Sequence, residues 1–282
     1  MCGLVGFLGG IASQDKIVDE ALLRKMTNSI IYRGPDDSGS WIDLKNRVGL
    51  GHRRLSILDL SLEGHQPMQS LSSRYVIAFN GEIYNHLDLR KEIDLCHAPA
   101  ADKTSSAEWR GHSDTESLLA GFDAWGIKGT VDRARGMFAF AVWDRKKETL
   151  TLARDRVGEK PLYYGWQGRG NDAVFLFGSE LKALRVHPAF EKNINRGAIS
   201  LLLRHNCIPT PYSIYEGVHK LLPGSLLSVS LRDRSPKISS YWSGAQIAEE
   251  GTVQSSLVNP EQAVDELEDL LMKAVDQQMI AD

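Results

Sequence analysis

Apolar residues gather in short β-branched or aromatic runs bounded by Gly, Asp or charged side chains, predicting strands at 2–8, 47–52, 74–79, 137–143, 149–153, 162–166 and 174–177. Helical spacing appears between them. Residues 19–31 place Leu22, Leu23, Met26 and Ile30 on one face, and 115–125 do the same with Leu118, Leu119, Phe122 and Trp125. Strands outnumber helices without strict alternation, and short turns join several of them. This pattern predicts antiparallel sheet in an α+β arrangement rather than a doubly wound parallel sheet. Residues 98–111 are polar and rich in small side chains, as expected of an exposed insertion ahead of a helix.

A third helix-forming stretch starts at Pro260, with Val264, Leu267, Leu271, Ala274 and Val275 at helical spacing. Residues 239–259 before it are rich in Ser, Gly and Gln and read as a linker. The expected organisation is a domain over 1–238, a linker over 239–259, and in 260–282 the first helix of a further domain. The alternative is a last helix that folds back on the only domain.

Composition narrows the function classes. The 282 residues are 42% hydrophobic and 24% charged, enough for a globular core. A net charge of −3 gives no electrostatic footprint for nucleic acid. No uncharged apolar run approaches the ~20 residues of a membrane span, and the apolar start lacks the basic flank of a signal peptide. Cys2, Cys96 and Cys207 are too few and scattered for a disulfide framework or a zinc site, so no metal and a cytoplasmic location are expected.

Candidate chemistry begins at Cys2. A small residue behind the initiator favours removal of Met1, which leaves an α-amine and a thiol on one residue. The amine titrates near ~7.7–8.0 and a free thiol near ~8.5, so one residue carries both nucleophile and base. A cysteine here also packs well as a small hydrophobe on a first strand. Four other segments have structural readings of their own. Arg33-Gly34-Pro35-Asp36 reads as a turn after a helix. Arg53 and Arg54 stand at a strand end, where one guanidinium can grip a carboxylate. Asn80-Gly81 is most often a type I′ hairpin turn, but an Asn amide and a Gly N–H also make an oxyanion hole, worth ~3 kcal/mol per donor. Ser113-Asp114-Thr115-Glu116 reads as a helix cap with an acidic first turn that can also hold an ammonium. Together they suit an amino acid with a reactive side-chain carbonyl.

Met1-Cys2-Gly3, Arg33-Gly34-Pro35-Asp36, Arg54-Leu55-Ser56-Ile57, Asn80-Gly81-Glu82-Ile83-Tyr84-Asn85 and Ser113-Asp114-Thr115-Glu116 recur in order with Gly136 to Ala141, Ala153 to Arg156 and Lys160 to Tyr164. In these the chain resembles the N-terminal glutaminase domain of asparagine synthetase, within the class II (N-terminal nucleophile) glutamine amidotransferases. The resemblance implies an αββα sandwich of two packed antiparallel sheets. It implies that Cys2 attacks the glutamine amide, forming a thioester and ammonia, with Asn80 and Gly81 holding the oxyanion. Arg54 would bind the α-carboxylate, Glu82 and Asp114 the α-ammonium, and backbone from Leu55 to Ile57 would shape the pocket. Arg53 is the weaker candidate for the carboxylate.

The family passes ammonia to a second domain that uses ATP and Mg²⁺ to form an amide, and that domain carries a Ser-Gly-Gly-x-Asp-Ser loop. This sequence contains no such loop. No cofactor is expected for the glutaminase half, with ATP and Mg²⁺ belonging to the absent synthetase domain. Expected partners are glutamine, that C-terminal domain and, as an assembly, a homodimer. The long stretch 96–111 also resembles versions that amidate carboxylated sugars for surface polysaccharides. Other readings are a hydrolase acting on a different amide and a non-catalytic docking domain.

Overall fold

The computed structural model describes residues 2–10, 16–56, 61–97, 109–254 and 259–279. Among these, twelve strands form two six-stranded sheets whose pairings are all antiparallel. The elements in chain order are β1 (Gly3–Gly9), α1 (Lys16–Asn28), β2 (Asp37–Asp43), β3 (Val48–Arg54), β4 (Met68–Gln69), β5 (Tyr75–Ile83), α2 (His86–His97) and α3 (Asp114–Arg133). There follow β6 (Gly136–Asp144), β7 (Thr149–Arg154), β8 (Tyr163–Gln167), β9 (Val174–Gly178), α4 (Leu181–Leu184) and α5 (Arg196–His205). The last are β10 (His219–Lys220), β11 (Ser225–Val229), β12 (Lys237–Ser240), α6 (Gly244–Gln254) and α7 (Pro260–Gln278). One sheet has the order β10-β8-β9-β1-β3-β2 and the other β12-β11-β7-β6-β5-β4.

Side-chain alternation turns these strands into four layers. Leu4 and Leu8 of β1 point inward, meeting Val76 and Ala78 of β5 and Ala139 and Ala141 of β6 in the core between the sheets. Val5 and Phe7 point outward onto Leu23, Met26 and Ile30 beside α1. On the opposite side, Ile77, Phe79 and Phe140 pack on Leu89 of α2 and Leu118, Leu119 and Phe122 of α3. Both central strands are therefore apolar on both faces, and the architecture is the expected αββα sandwich. Gly6 lets the layers close, because a Cβ there would strike the Phe177 ring and the Gly49 carbonyl.

Several expected boundaries shift. The helix expected over 19–31 is α1, ending at Asn28, and a 3₁₀ turn Ile31–Arg33 follows it. The helix expected over 115–125 runs on to Arg133 across a kink at Gly126, whose φ of 75° suits glycine. Strands β2, β4, β10 and β12 escaped the hydropathy pattern because they are short or at sheet edges, and β11, an interior strand, was also not predicted. The Asn80-Gly81 turn is overturned: both residues lie inside β5, paired with Ala139 and Phe138 of β6. Within the stretch read as a linker lie the end of β12 and the eleven-residue helix α6. Most of the insertion, residues 98–108, lies outside the described residues.

The helix expected from Pro260 is α7, capped by Asn259, whose side chain accepts the Glu261 N–H. Its apolar positions are open, with Val264 63%, Leu267 57% and Leu271 58% exposed. Among the described residues, no helix is long and apolar enough to cross a membrane.

Candidate active site

One small cavity of about 120 Å³ lies at the end of the sandwich where β1 starts. Cys2, Arg54, Leu55, Asn80, Gly81, Glu82 and Asp114 all line it. Pockets for drug-sized ligands start near ~300 Å³, so the space suits a single small molecule. Ile57 lies outside the described residues. Arg53 is turned away, with Nη2 donating to Asn28 Oδ1.

Cys2 enters from the first sheet. Its carbonyl accepts the Arg33 Nε–H at 3.0 Å, and Arg33 Nη1 is itself paired with Glu180 Oε1 at 2.7 Å. The Arg33 segment, which by itself reads as a turn, thus fixes the backbone that presents the thiol. Cys2 Sγ accepts the Leu55 N–H at 3.4 Å and faces the Leu55 carbonyl at 3.5 Å. Burial pushes the thiol up from its ordinary value, against the pull of the Leu55 backbone bond and the N-terminal charge, and the weaker influences of Asp114 and Arg54 act in opposite directions. Such a thiol is protonated at neutral pH and needs a base before it can attack.

Arg54 ends β3 opposite Asp37, is 8% exposed, and donates through Nη1 to Ser61 O at 2.9 Å. Gly64 lies against its guanidinium, where a Cβ would collide. Across the cavity Ser113 caps α3, its hydroxyl accepting the Thr115 N–H at 3.2 Å. The cap places Asp114 at the first helical position. Asp114 accepts the Ile83 N–H at 2.8 Å, yet burial, with help from the nearby Glu82 charge, pushes its carboxyl up to about 6. The loop ahead of the cap is held by Arg90, which donates to Gly111 O and Ser113 O, each at 2.9 Å, and stacks over Trp109.

The second sheet contributes an open strand edge. β4 pairs with β5 only at Ile77 and Val76, so among the described residues no strand pairs with 79–83 on that side. Alternation directs the main-chain groups of Phe79, Gly81 and Ile83 toward it. Gln66 Oε1 accepts the Phe79 N–H at 2.7 Å and Asp114 accepts that of Ile83. The Gly81 N–H between them has no acceptor among the described residues. Asn80 Nδ2 is likewise buried without an acceptor. Two unused donors thus converge where Cys2 opens onto the cavity. Gly81 is required by packing, since a Cβ would collide with Met137 O and Phe138 Cα of β6.

Gly64, Gln66, Phe79, Ser113, Thr115, Met137 and Lys160 also line the cavity. Gln66 carries no local signal. Lys160 had one, since it lies in a motif that ends in Tyr163-Tyr164. Among the described residues, no group of three or more His, Cys, Asp or Glu is arranged to hold a metal ion.

Residues 1–242 match the family described as the glutamine amidotransferase domain. The chain is 36% identical over 260 residues to a putative glutamine-hydrolysing asparagine synthetase 2 of Methanocaldococcus jannaschii, covering 86% of this chain and 46% of that one. It is 35% identical over 233 residues to the glutamine-hydrolysing asparagine synthetase 3 of Bacillus subtilis, covering 82% of this chain and 35% of that one. The chain spans less than half the length of these curated relatives. Its fold resembles that of the glutamine phosphoribosylpyrophosphate amidotransferase of B. subtilis, with TM-score 0.58 and 17% identity over 85% of this chain and 49% of that one. By the match over residues 1–242, this chain belongs to the glutamine amidotransferase domain family.

Proposed function

We propose that this domain hydrolyses glutamine to glutamate and ammonia, and that Cys2, freed of Met1, supplies both nucleophile and base. The supporting observation is that a half-buried thiol, two donors without acceptors among the described residues, a guanidinium and a buried carboxylate meet in one cavity. Because burial holds the thiol protonated, its proton passes to the Cys2 α-amine as Sγ bonds to the amide carbon. Asn80 Nδ2 and the Gly81 N–H receive the developing oxyanion. Collapse breaks the C–N bond, the α-ammonium returns its proton to the leaving nitrogen, and ammonia departs from a γ-glutamyl thioester. Water then adds to the thioester with the same amine as base, releasing glutamate and the thiol. Arg54 pairs with the glutamine α-carboxylate and Asp114, with Glu82, holds the α-ammonium, while Leu55 shapes the wall.

In the whole protein the ammonia serves an ATP- and Mg²⁺-dependent amide-forming domain, and the names of the relatives support aspartate as acceptor. Helix α7, with its open apolar stripe, begins that domain. The domain itself needs no cofactor, works in the cytoplasm and assembles as a homodimer in this reading.

The test is ammonia release from glutamine by the 282-residue chain, after intact mass confirms loss of Met1, beside Cys2→Ala. A diazoketone analogue of glutamine supplies a second readout, a mass adduct on Cys2. Release and adduct that both vanish in Cys2→Ala are expected. An inert, unlabelled thiol in correctly trimmed protein would favour the docking-domain reading instead.

A further inference from the structure

The open edge of β5 is not left to water. Six residues of the strand, 78–83, run past the last β4 partner, and three of them aim main-chain groups at the gap. An unpaired edge binds whatever is near, another strand included. Side chains take the place of the missing strand. Gln66 Oε1 receives the Phe79 N–H at 2.7 Å, while Gln66 Nε2 donates to Thr115 Oγ1 at 3.2 Å in the first turn of α3. From the other sheet His52 reaches across the sandwich, with Nε2 at 2.8 Å from the Phe79 carbonyl. A carbonyl only accepts, so this nitrogen carries the proton. Phe79, the residue before Asn80, is thereby held at both main-chain groups by side chains remote in sequence.

His52 is an expensive residue to place there. It is fully buried and its Nδ1 finds no partner. An apolar side chain would fill the space between the sheets without that desolvation cost. A polar group kept in such a position is explained by the one contact it makes.

We infer that His52 and Gln66 are positioning residues that hold Phe79, and through it the Asn80 amide and the Gly81 N–H, in register for the oxyanion. The inference rests on the glutaminase reading and adds two residues that touch neither thiol nor leaving group. Gln66 also ties the oxyanion end of the cavity to the helix turn carrying Asp114, so both ends of the substrate are referred to one network. Misplacing a donor by about an ångström costs on the order of 100-fold in rate.

Steady-state glutamine hydrolysis by the full chain tests this with paired variants. His52→Asn is too short to reach Phe79 O, whereas the amide of His52→Gln reaches about as far as Nε2. Gln66→Leu loses both bonds, whereas Gln66→Glu keeps the acceptor for the Phe79 N–H. His52→Asn and Gln66→Leu are expected to lower kcat about 10- to 100-fold with KM within about threefold, while His52→Gln and Gln66→Glu stay within about threefold of the parent. Binding of the γ-aldehyde analogue of glutamine, which Cys2 converts to a tetrahedral adduct, should weaken in step with kcat, while glutamate binding stays unchanged.

Asn80→Ala is measured beside them and should lose about 100- to 1000-fold. If Asn80→Ala is impaired but the short and long variants at 52 and 66 are equally active, or equally inactive, the positioning role is overturned. If Asn80→Ala itself retains kcat, the oxyanion reading fails first.

Discussion

Arg154 and Asp155 at the end of β7, and Arg54 and Asp114 around the cavity, are all buried: 9%, 0%, 8% and 5% exposed. Their hydrogen bonds are distributed differently. Arg154 donates from all three nitrogens to carbonyls, Nε to Lys160 at 2.8 Å, Nη1 to Leu221 at 2.7 Å and Nη2 to Gly158 at 2.6 Å. Asp155 accepts the N–H groups of Gly158, Glu159, Lys160 and Phe138. The fold completes that pair, which fixes the loop leading to Lys160. Asp114 keeps a raised pKa despite its main-chain bonds, a state that costs stability while the site is empty and is relieved by a cation. A buried aspartate thus serves structure at Asp155, where four main-chain donors saturate it, and suits binding at Asp114, whose carboxyl stays raised by burial.

The largest expected effect comes from removing Asp155. Asp155→Ala strips four main-chain donors of their acceptor and should cost about 3–5 kcal/mol in urea unfolding. A loss under about 1 kcal/mol would end the contrast between the two neighbourhoods.

Asp114→Asn should act oppositely on stability. KM for glutamine is expected to rise about 100-fold as the ammonium loses its partner. The carboxyl titrates at about 6 in the fold against an ordinary 3.8, so its favourable share is complete below 3.8 and disappears as pH rises through 6. The amide does not ionise, and at pH 8 the variant should be about 1–3 kcal/mol more stable than the parent. Thermal unfolding at pH 5 and pH 8 reads this directly, and equal shifts at both would contradict it. In the parent, KM should climb as pH falls below 6.

Acid probes the cavity strand from the other side. Burial lowers His52 from 6.5 to about 4, so the fold favours its neutral form. That stabilisation is present above 6.5 and is lost as pH falls toward 4. His52→Gln does not titrate and should recover about 2 kcal/mol of the parent's acid loss over that window. His187, also lowered to about 4 by burial, and His86, lowered in the same direction, add to the acid slope, while Asp114 opposes it.

The smallest expected effect is that of Ser113→Ala. Loss of the cap should cost about 1 kcal/mol in stability and raise KM severalfold by loosening Asp114. A change in kcat without a change in KM would separate the cap from ammonium binding.

Much of the site was legible because its chemistry sits in short motifs. Cys2 stood out by its place in the chain, Asp114 by the cap before it, and Arg54 by the strand it ends. Asn80-Gly81 was legible as chemistry and misread as local structure. The pair is a strong hairpin signal, but nine ladder pairs with β6 and apolar neighbours on both faces override it. His52 and Gln66 were invisible because their meaning lies in contacts 27 and 13 residues away.

By itself the sequence marked Cys2 and the charged groups as candidates and predicted antiparallel sheet in an α+β arrangement, since residue identity sets reactivity and hydrophobic pattern sets strands; the sandwich followed from the family resemblance. Only the tertiary structure decided which strand edge stays open and which donors stay unpaired there. Those properties depend on where β4 stops, how closely β6 approaches Gly81, and which remote side chains reach Phe79. No local stretch encodes them, because a donor without an acceptor is defined by its surroundings.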